Sequence, residues 1–352
     1  MFVLGIETSC DETSASLVKD GSKILSNVVA SSLNMHKRYG GIVPEIAFRK
    51  QLETITAVVD SAVKQARIEL KDIKIISVTK GPGLLGSLLV GISFAKAASY
   101  SLGVPLLGVN HLYAHIYSGL FNVKKPKFPF VALVVSGGHT SLFYVKDFAK
   151  IRLLGSTQDD ACGESFDKVA KILGLGYPGG PLIEKLAKQG NSKKIKFSCC
   201  GTKGALDFSF SGIKTAVLYY LRDTGYACLP PACRQGRDRQ GIRDTLPVTR
   251  YPLPLIRDIA ASFQEAVIDA LIKKSVLACK LKKTRHLVVG GGVVANSRLR
   301  EKLFRETKDK GINAYFPSKE LCMDNAAMVA GLGYQLFKKG LSSDLSLNAD
   351  LN

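Results

Sequence analysis

Residues 130–145 read FVALVVSGGHTSLFYV, and residues 2–19 read FVLGIETSCDETSASLVK. In both, an apolar run breaks at a short polar turn and resumes as a second run. That is the pattern of two strands joined tightly. A third strand follows in each place: SKILSNVVA (22–30) after an Asp-Gly hairpin signal, and KIRLLGS (150–156). Each triplet leads into a helical pattern, PEIAFRKQLETITAVVDSAVKQARI (44–68) in the first half and GESFDKVAKILGL (163–175) in the second. Each half then returns to buried strands. The first has IISVTK (75–80) and PLLGVN (105–110), split by the helix SLLVGISFAKAASYSL (87–102). The second has HLVVGGG (286–292) and NAYFPS (313–318), split by ANSRLREKLFRETK (295–308).

Two copies of one element order predict a duplicated α/β fold of the actin, hexokinase and Hsp70 type. The expected division is residues 1–121 plus 325–352, with a returning C-terminal helix, and residues 122–324. In such a fold the polar turns ETSCDET (7–13) and SGGHT (136–140) face each other across a cleft, and their backbone N–H groups serve as anion donors. The stretch 226–255, YACLPPACRQGRDRQGIRDTLPVTRYPLPL, carries five prolines and interrupts a helical region. It reads as an exposed insertion at about 225–255, neither helix nor central strand.

The chain has 352 residues, 46% of them hydrophobic, enough for a large core. No uninterrupted apolar run reaches the ~18 residues of a membrane span, and MFVLGIETSC reads as a strand rather than a leader. The eight cysteines form no C-x-x-C pair, which points to a reduced, cytoplasmic setting without a zinc ribbon or disulfide framework. The net charge of +20 points to a polyanionic partner, most simply nucleic acid. From Lys273 to Lys310 there are twelve Lys/Arg and three Asp/Glu, with few aromatics, so phosphate contact is the expected task of that segment.

His111 and His115, in HLYAH, stand one helical turn apart on one face. Zinc peptidases of the H-E-x-x-H type need a glutamate beside the first histidine, and Leu112 stands there. Asp324, in LCMDNAAM (321–328), completes a two-histidine, one-carboxylate set suited to iron or zinc with open positions. Capping of the last helix is its alternative role. TKGPGLLGS (79–87) is either an anion site at a helix start or a tight connection. In VVGGGVVANSRLR (288–300) the glycines would let a nucleoside pack on the backbone, with Asn296 beside it. Asp167 and Glu184 are carboxylates placed to accept ribose hydroxyls. Glu184 has a first-turn helix-dipole role as the alternative.

Nine stretches occur together and in order: GIETSCDETSAS, YGGIVPEIA, GPGLLGSLLVG, HLYAH, VSGGHT, GESFDKVAKILGLGYPGGP, LDFSFSGIKT, GGGVVANSRLR and MDNAAM. With these the chain resembles the tRNA N6-adenosine threonylcarbamoyltransferase family, once named for O-sialoglycoprotein endopeptidase activity, in its bacterial and organellar branch. The resemblance spans about residues 2–345, apart from the insertion. It implies an N6-L-threonylcarbamoyladenine synthase, moving a threonylcarbamoyl group from threonylcarbamoyl-AMP to N6 of adenosine 37 in tRNAs reading ANN codons. It implies one divalent metal, iron or zinc, on His111, His115 and Asp324. It implies an adenylate held in the cleft by the VVSGGH loop (Val134, Val135, Ser136, Gly137, Gly138, His139) with Asp167, Gly180, Glu184 and Asn296. Asp11 and Glu12 match acidic residues near the reacting carbonyl. The implied partners are tRNA, a catalytically silent paralogue and a small ATPase. Two departures stand out: PEIAFRKQ places Phe48 and Gln51 where the family has Ser and His, and the insertion is unusual.

Such chemistry accounts for the missing glutamate. The exocyclic amine of adenine is a weak nucleophile, because its lone pair is delocalised into the ring. Attack needs an activated carbonyl and an oriented amine rather than a deprotonated water. Asp11 or Glu12 would take the proton lost from N6. The rival readings are a small-molecule kinase of the same fold and an ATP-regulated RNA-binding scaffold.

Overall fold

The computed structural model describes residues 1–121, 126–199, 201–224 and 251–351. Strands β1 (Phe2–Glu7), β2 (Glu12–Lys19) and β3 (Lys23–Ser31) form an antiparallel ladder. A short helix α1 (Leu33–His36) and a tight turn lead into α2 (Pro44–Ala66). Strand β4 (Ile73–Gly81) then pairs parallel with β1, helix α3 (Leu85–Leu102) crosses over, and β5 (Leu106–Asn110) pairs parallel with β4. Helix α4 (His111–Ser118) carries the chain to the second half. There β6 (Phe130–Val135), β7 (Thr140–Asp147) and β8 (Lys150–Ser156) repeat the ladder. Helices α5 (Cys162–Ile172), α6 (Gly179–Ala187), α7 (Ser211–Asp223) and α8 (Leu253–Leu281) follow. Strand β9 (His286–Gly290) joins β6 in parallel, α9 (Ser297–Lys308) crosses over, and β10 (Asn313–Tyr315) joins β9. Helix α10 (Ala326–Phe337) ends the fold.

The sheet orders are β3-β2-β1-β4-β5 and β8-β7-β6-β9-β10, one order read twice. The duplicated actin-like α/β fold expected from the sequence is therefore present.

Side-chain alternation along the strands divides the core into layers. Leu4 and Ile6 face α2 and α3 on one side of the first sheet. Val131, Leu133 and Val135 face the helices of the second half. Val3, Ile75 and Val109 from the first sheet meet Phe130, Ala132 and Val134 from the second in a shared middle layer, filled by α4 and α10. Helix α10 lies so close to the first sheet that a Cβ on Gly5 would fall 2.2 Å from the Ala326 carbonyl oxygen. The C-terminal helix therefore packs on the first sheet.

Two expectations need correction. Helix α3, 18 residues at mean hydropathy 1.3, is long and apolar enough by length and composition to cross a bilayer. The count of uninterrupted apolar residues missed it, because serines, glycine and Lys96 are spread through an apolar average. Its Leu88, Ile92 and Ala95 pack in the core against the first sheet. The second correction concerns the proline-rich stretch. Residues 225–250 lie outside the described residues, but α8 begins at Leu253, inside the segment read as non-helical. Pro254 occupies its first turn, where a missing N–H breaks no helical hydrogen bond.

Candidate active site

Strand β5 ends at Asn110, whose side chain accepts the Tyr113 amide at 3.1 Å and so starts α4 at His111. One turn later comes His115, and the two rings meet edge to face at 4.6 Å between centroids. Asp324 reaches them from the loop before α10. Its Oδ1 lies 3.0 Å from His115 Nε2 and 3.7 Å from His111 Nε2. One ligand atom from each of the three residues falls within 4.8 Å of the others. The capping alternative for Asp324 fails, because Asn325 caps α10 by accepting the Met328 amide. Asn325 also donates to the Met323 carbonyl at 2.8 Å, which holds the loop that presents Asp324.

Glu7, the last residue of β1, is fully buried and supports this trio. It accepts from the Ser9 amide at 2.6 Å and from Thr79 Oγ1 at 2.6 Å, and it lies 3.1 Å from His111 Nδ1. Ser9 Oγ lies 3.2 Å from the same nitrogen. With Nδ1–H donated to Glu7, Nε2 of His111 faces Asp324 and would become a ligand on losing its proton. This is the support that a ligating histidine needs. His115 Nδ1 is buried and meets no partner among the described residues.

The charges follow from the packing. Burial pushes Glu7 up, but the adjacent His111 outweighs it and holds the carboxyl below the usual range. Burial pulls His111 down, and Glu7 and Asp324 outweigh it, lifting the imidazole to about 9. Burial likewise opposes ionisation of Asp324, but His111 and then His115 hold it at about 2. His139 is pulled down to about 4 by burial and by the two nearby histidines, so it is neutral at pH 7.

The first turn, which touches the trio through Ser9, is one wall of the site. Asp11 and Glu12 are each 8% exposed. Glu12 is pushed up to about 10, by burial first and then by the Asp324 and Asp11 carboxylates, and it shares a hydrogen bond with Asp11. Gln51 replaces the expected histidine with a structural clamp. Its Nε2 donates to the carbonyls of Cys10 at 2.9 Å and Glu12 at 3.0 Å. Phe48 packs against Gly86 at the start of α3. Tyr177, unremarked in the sequence, is raised by burial, then by Asp167 on its own half and Asp11 on the other. Its hydroxyl is therefore within electrostatic reach of both walls.

The SGGHT turn is tight: the Ser136 amide donates to the His139 carbonyl at 2.8 Å, and the His139 amide donates to Ser136 Oγ at 3.1 Å. Gly137 and Gly138 lie at its exposed tip with open space around them. Val134 and Val135 are fully buried in β6, paired with β7, and Val134 with β9 as well. Asp167 accepts the Gly179 amide at 2.6 Å, at the start of α6, and Gly180 beside it is open. Glu184 does not stand in the first turn of its own helix. Its Oε1 accepts the Ser297 amide at 3.1 Å, at the N-terminus of α9, so the dipole that favours it belongs to α9. Asn296 caps α9 through the Leu299 amide and donates to Gln264 Oε1 at 2.7 Å. Glu184, Gln264 and Arg298 line an open pocket of about 130 Å³.

The other glycine-rich turns answer to packing. A Cβ on Gly290 would fall 2.1 Å from the His115 carbonyl oxygen, so this position admits α4 against β9. In the 79–87 turn the Leu84 amide donates to the Ser9 carbonyl at 2.8 Å, and the Asp350 amide donates to the Lys80 carbonyl at 2.7 Å. The tight-connection alternative describes that turn better than an anion site does.

The sequence profile of tRNA N6-adenosine threonylcarbamoyltransferase matches residues 23–331. The chain belongs to this family. A curated relative of that name from Thermodesulfovibrio yellowstonii is 50% identical over 349 residues, covering 99% of this chain and 98% of the relative. Another from Syntrophus aciditrophicus is 46% identical over 349 residues, covering 99% and 96%. Among solved structures, full-length HypF in a phosphate- and nucleotide-bound form superposes at a TM-score of 0.58 and 14% identity. It covers 97% of this chain, which spans 47% of that structure. The activator of the 2-hydroxyisocaproyl-CoA dehydratase from Clostridium difficile, with bound ADPNP, superposes at 0.50 and 14% identity, covering 97% and 99%. At such identities these two attest the fold alone.

Proposed function

We propose that this chain transfers a threonylcarbamoyl group from threonylcarbamoyl-AMP to N6 of adenosine 37 in tRNAs reading ANN codons, releasing AMP. The observation that carries the reading is the convergence of His111, His115 and Asp324 beside the Asp11–Glu12 turn, in a chain of this family. Two imidazole nitrogens and one carboxylate oxygen suit one iron or zinc ion. When bound, the metal supplies a template and Lewis acid for the phosphate and carbonyl oxygens of the adenylate. Glu7 fixes the His111 tautomer. Gly137, Gly138 and Gly180 offer open backbone to the nucleotide, and the carboxylates of Asp167 and Glu184 stand on the same half. Burial and the Asp324 and Asp11 carboxylates favour the protonated form of Glu12, so Asp11 is the group assigned to accept the proton from N6.

The division at 121/122 and 324/325 belongs to the same reading, with the cleft between the halves. So do a cytoplasmic location and two protein partners, a silent paralogue and a small ATPase. The test is incubation with threonylcarbamoyl-AMP and unmodified tRNA, with and without those partners, followed by mass analysis of the nucleosides. No threonylcarbamoyladenosine under any combination would sink the reading.

Two expected results arise here. Glu7→Gln keeps the shape of the side chain but weakens the anchor of His111. Its metal dissociation constant should rise about 10- to 100-fold, read by competition with a chromophoric chelator; an unchanged constant removes Glu7 from the support of the site. The second concerns RNA. Within 273–310, Arg298 and Lys302 are tied to Glu265, and Arg300 donates to backbone carbonyls, so they serve the fold. Lys283 and Arg285 are exposed, and half-buried Lys282 lies over Tyr144. Charge reversal at these three positions should flatten the salt dependence of tRNA binding, by about 0.7–0.9 in log–log slope for each phosphate that is no longer neutralised. An unchanged slope moves the footprint elsewhere.

A further inference from the structure

The loop between β3 and α2 carries features that the transfer chemistry leaves unused. It departs from Ser31, which pairs with Glu12 at the start of β2, so it begins beside the acidic turn. It is also tied there. The Ser32 amide and the Ser32 hydroxyl both donate to the Asp11 carbonyl, at 3.0 and 2.8 Å. Four residues on, His36 is fully buried, and the Val43 amide donates to its Nδ1 at 3.2 Å. A backbone amide only donates, so Nδ1 is the acceptor and the proton of the neutral ring lies on Nε2. Nε2 then donates to Ser32 Oγ at 2.9 Å. Donation therefore runs one way, from Val43 through His36 and Ser32 to Asp11, and pins both ends of the loop.

What this anchor holds up is polar and aromatic. Lys37, Arg38, Tyr39 and Gly40 are all exposed. Tyr39 is 52% exposed, and the Arg38 guanidinium lies 4.7 Å from its ring centroid. Gly40, at φ +70°, turns the chain back in the left-handed region, with open space around it. A tyrosine preceded by two cations, on a loop pinned by a buried histidine and tied to the Asp11 carbonyl, forms a stacking platform. Unpaired bases in RNA loops are recognised on such aromatic faces, with cations on the neighbouring phosphates.

We propose that Tyr39, with Arg38, stacks on an unpaired base next to the target adenosine and so helps to seat the RNA loop against the Asp11 turn. This assignment rests on the reading of the cleft as a tRNA site. The Arg38 guanidinium beside the ring and the exposed Lys37 before it favour a polyanion over an apolar protein surface.

The test uses the full chain and an unmodified anticodon stem-loop RNA carrying the target adenosine, with dissociation constants read by fluorescence anisotropy. Tyr39→Ala should weaken binding about tenfold, the lower part of the range for one stacked base. Tyr39→Phe, which keeps the ring, should bind like the wild type. Two further RNAs have the nucleotide on one or the other side of the adenosine made abasic. On one of them the penalty of Tyr39→Ala should vanish, because the stacked base is already gone. Unchanged affinity of Tyr39→Ala for the intact RNA overturns the proposal and leaves the loop to a protein partner. An equal penalty on all three RNAs overturns it as well, since the ring would then touch no base. The measurement needs no transfer reaction, so it stands apart from failure of the threonylcarbamoyl assay.

Discussion

Replacing His111 and His115 together by alanine is expected to abolish metal binding, from about one ion per chain to near none, and with it the transfer of threonylcarbamoyl to tRNA. The two Nε2 atoms supply two of the three donors that converge at the cleft. Asp324 alone is a single oxygen donor with no geometry to impose. Template and Lewis-acid effects contribute several kcal/mol, so the rate loss should reach about a thousandfold. The double change also strips the partners from a half-buried carboxylate that the histidines hold at about 2. Some loss of stability is therefore expected, and thermal unfolding must be followed alongside. Asp324→Asn is the companion variant: it keeps shape and hydrogen bonding, loses the anionic ligand, and should also lose metal. Elemental analysis of each purified variant decides the matter. Retained stoichiometry in the double variant would remove the trio as the metal site.

Asp11→Asn should fold normally, hold metal nearly as before, and lose at least about a hundredfold in single-turnover transfer from preformed threonylcarbamoyl-AMP, the lower end of what a positioned base contributes. The backbone of this turn is held independently of the carboxylate. Ser32 binds the Asp11 carbonyl, and Gln51 binds the carbonyls on either side of it. Asparagine therefore leaves the turn intact and removes only the ability to accept a proton. Glu12 remains a poorer substitute in this variant, because burial and the Asp324 carboxylate still favour its protonated form after the Asp11 charge is gone. A near-normal rate in Asp11→Asn would exclude Asp11 as the base.

Much of this molecule is legible along the chain. The two strand triplets, their turns and the helices after them arise from alternation and turn chemistry within a few residues. The α/β class and the duplication could therefore be read before any contact was known. The His111–His115 pair is legible for the same reason, one helical turn being a local distance. Asp324 is different: it meets His115 across 209 residues of sequence, and its competing role as a helix cap went to Asn325 only once the α10 turn was built. Glu7 looked like the first polar residue of a turn. It became the anchor of His111 because β1 places it between Thr79 of β4 and the start of α4. Glu184 looked like a first-turn acid of α6 and proved to serve α9. Gln51 looked like a lost histidine and proved to clamp the acidic turn. Periodicity and turn preference are properties of neighbouring residues, so the chain itself specified the elements and their order. The charge on a buried group depends on what stands within a few ångströms of it. Proton positions, tautomers and ligand geometry therefore waited for the two sheets to close on α4 and α10.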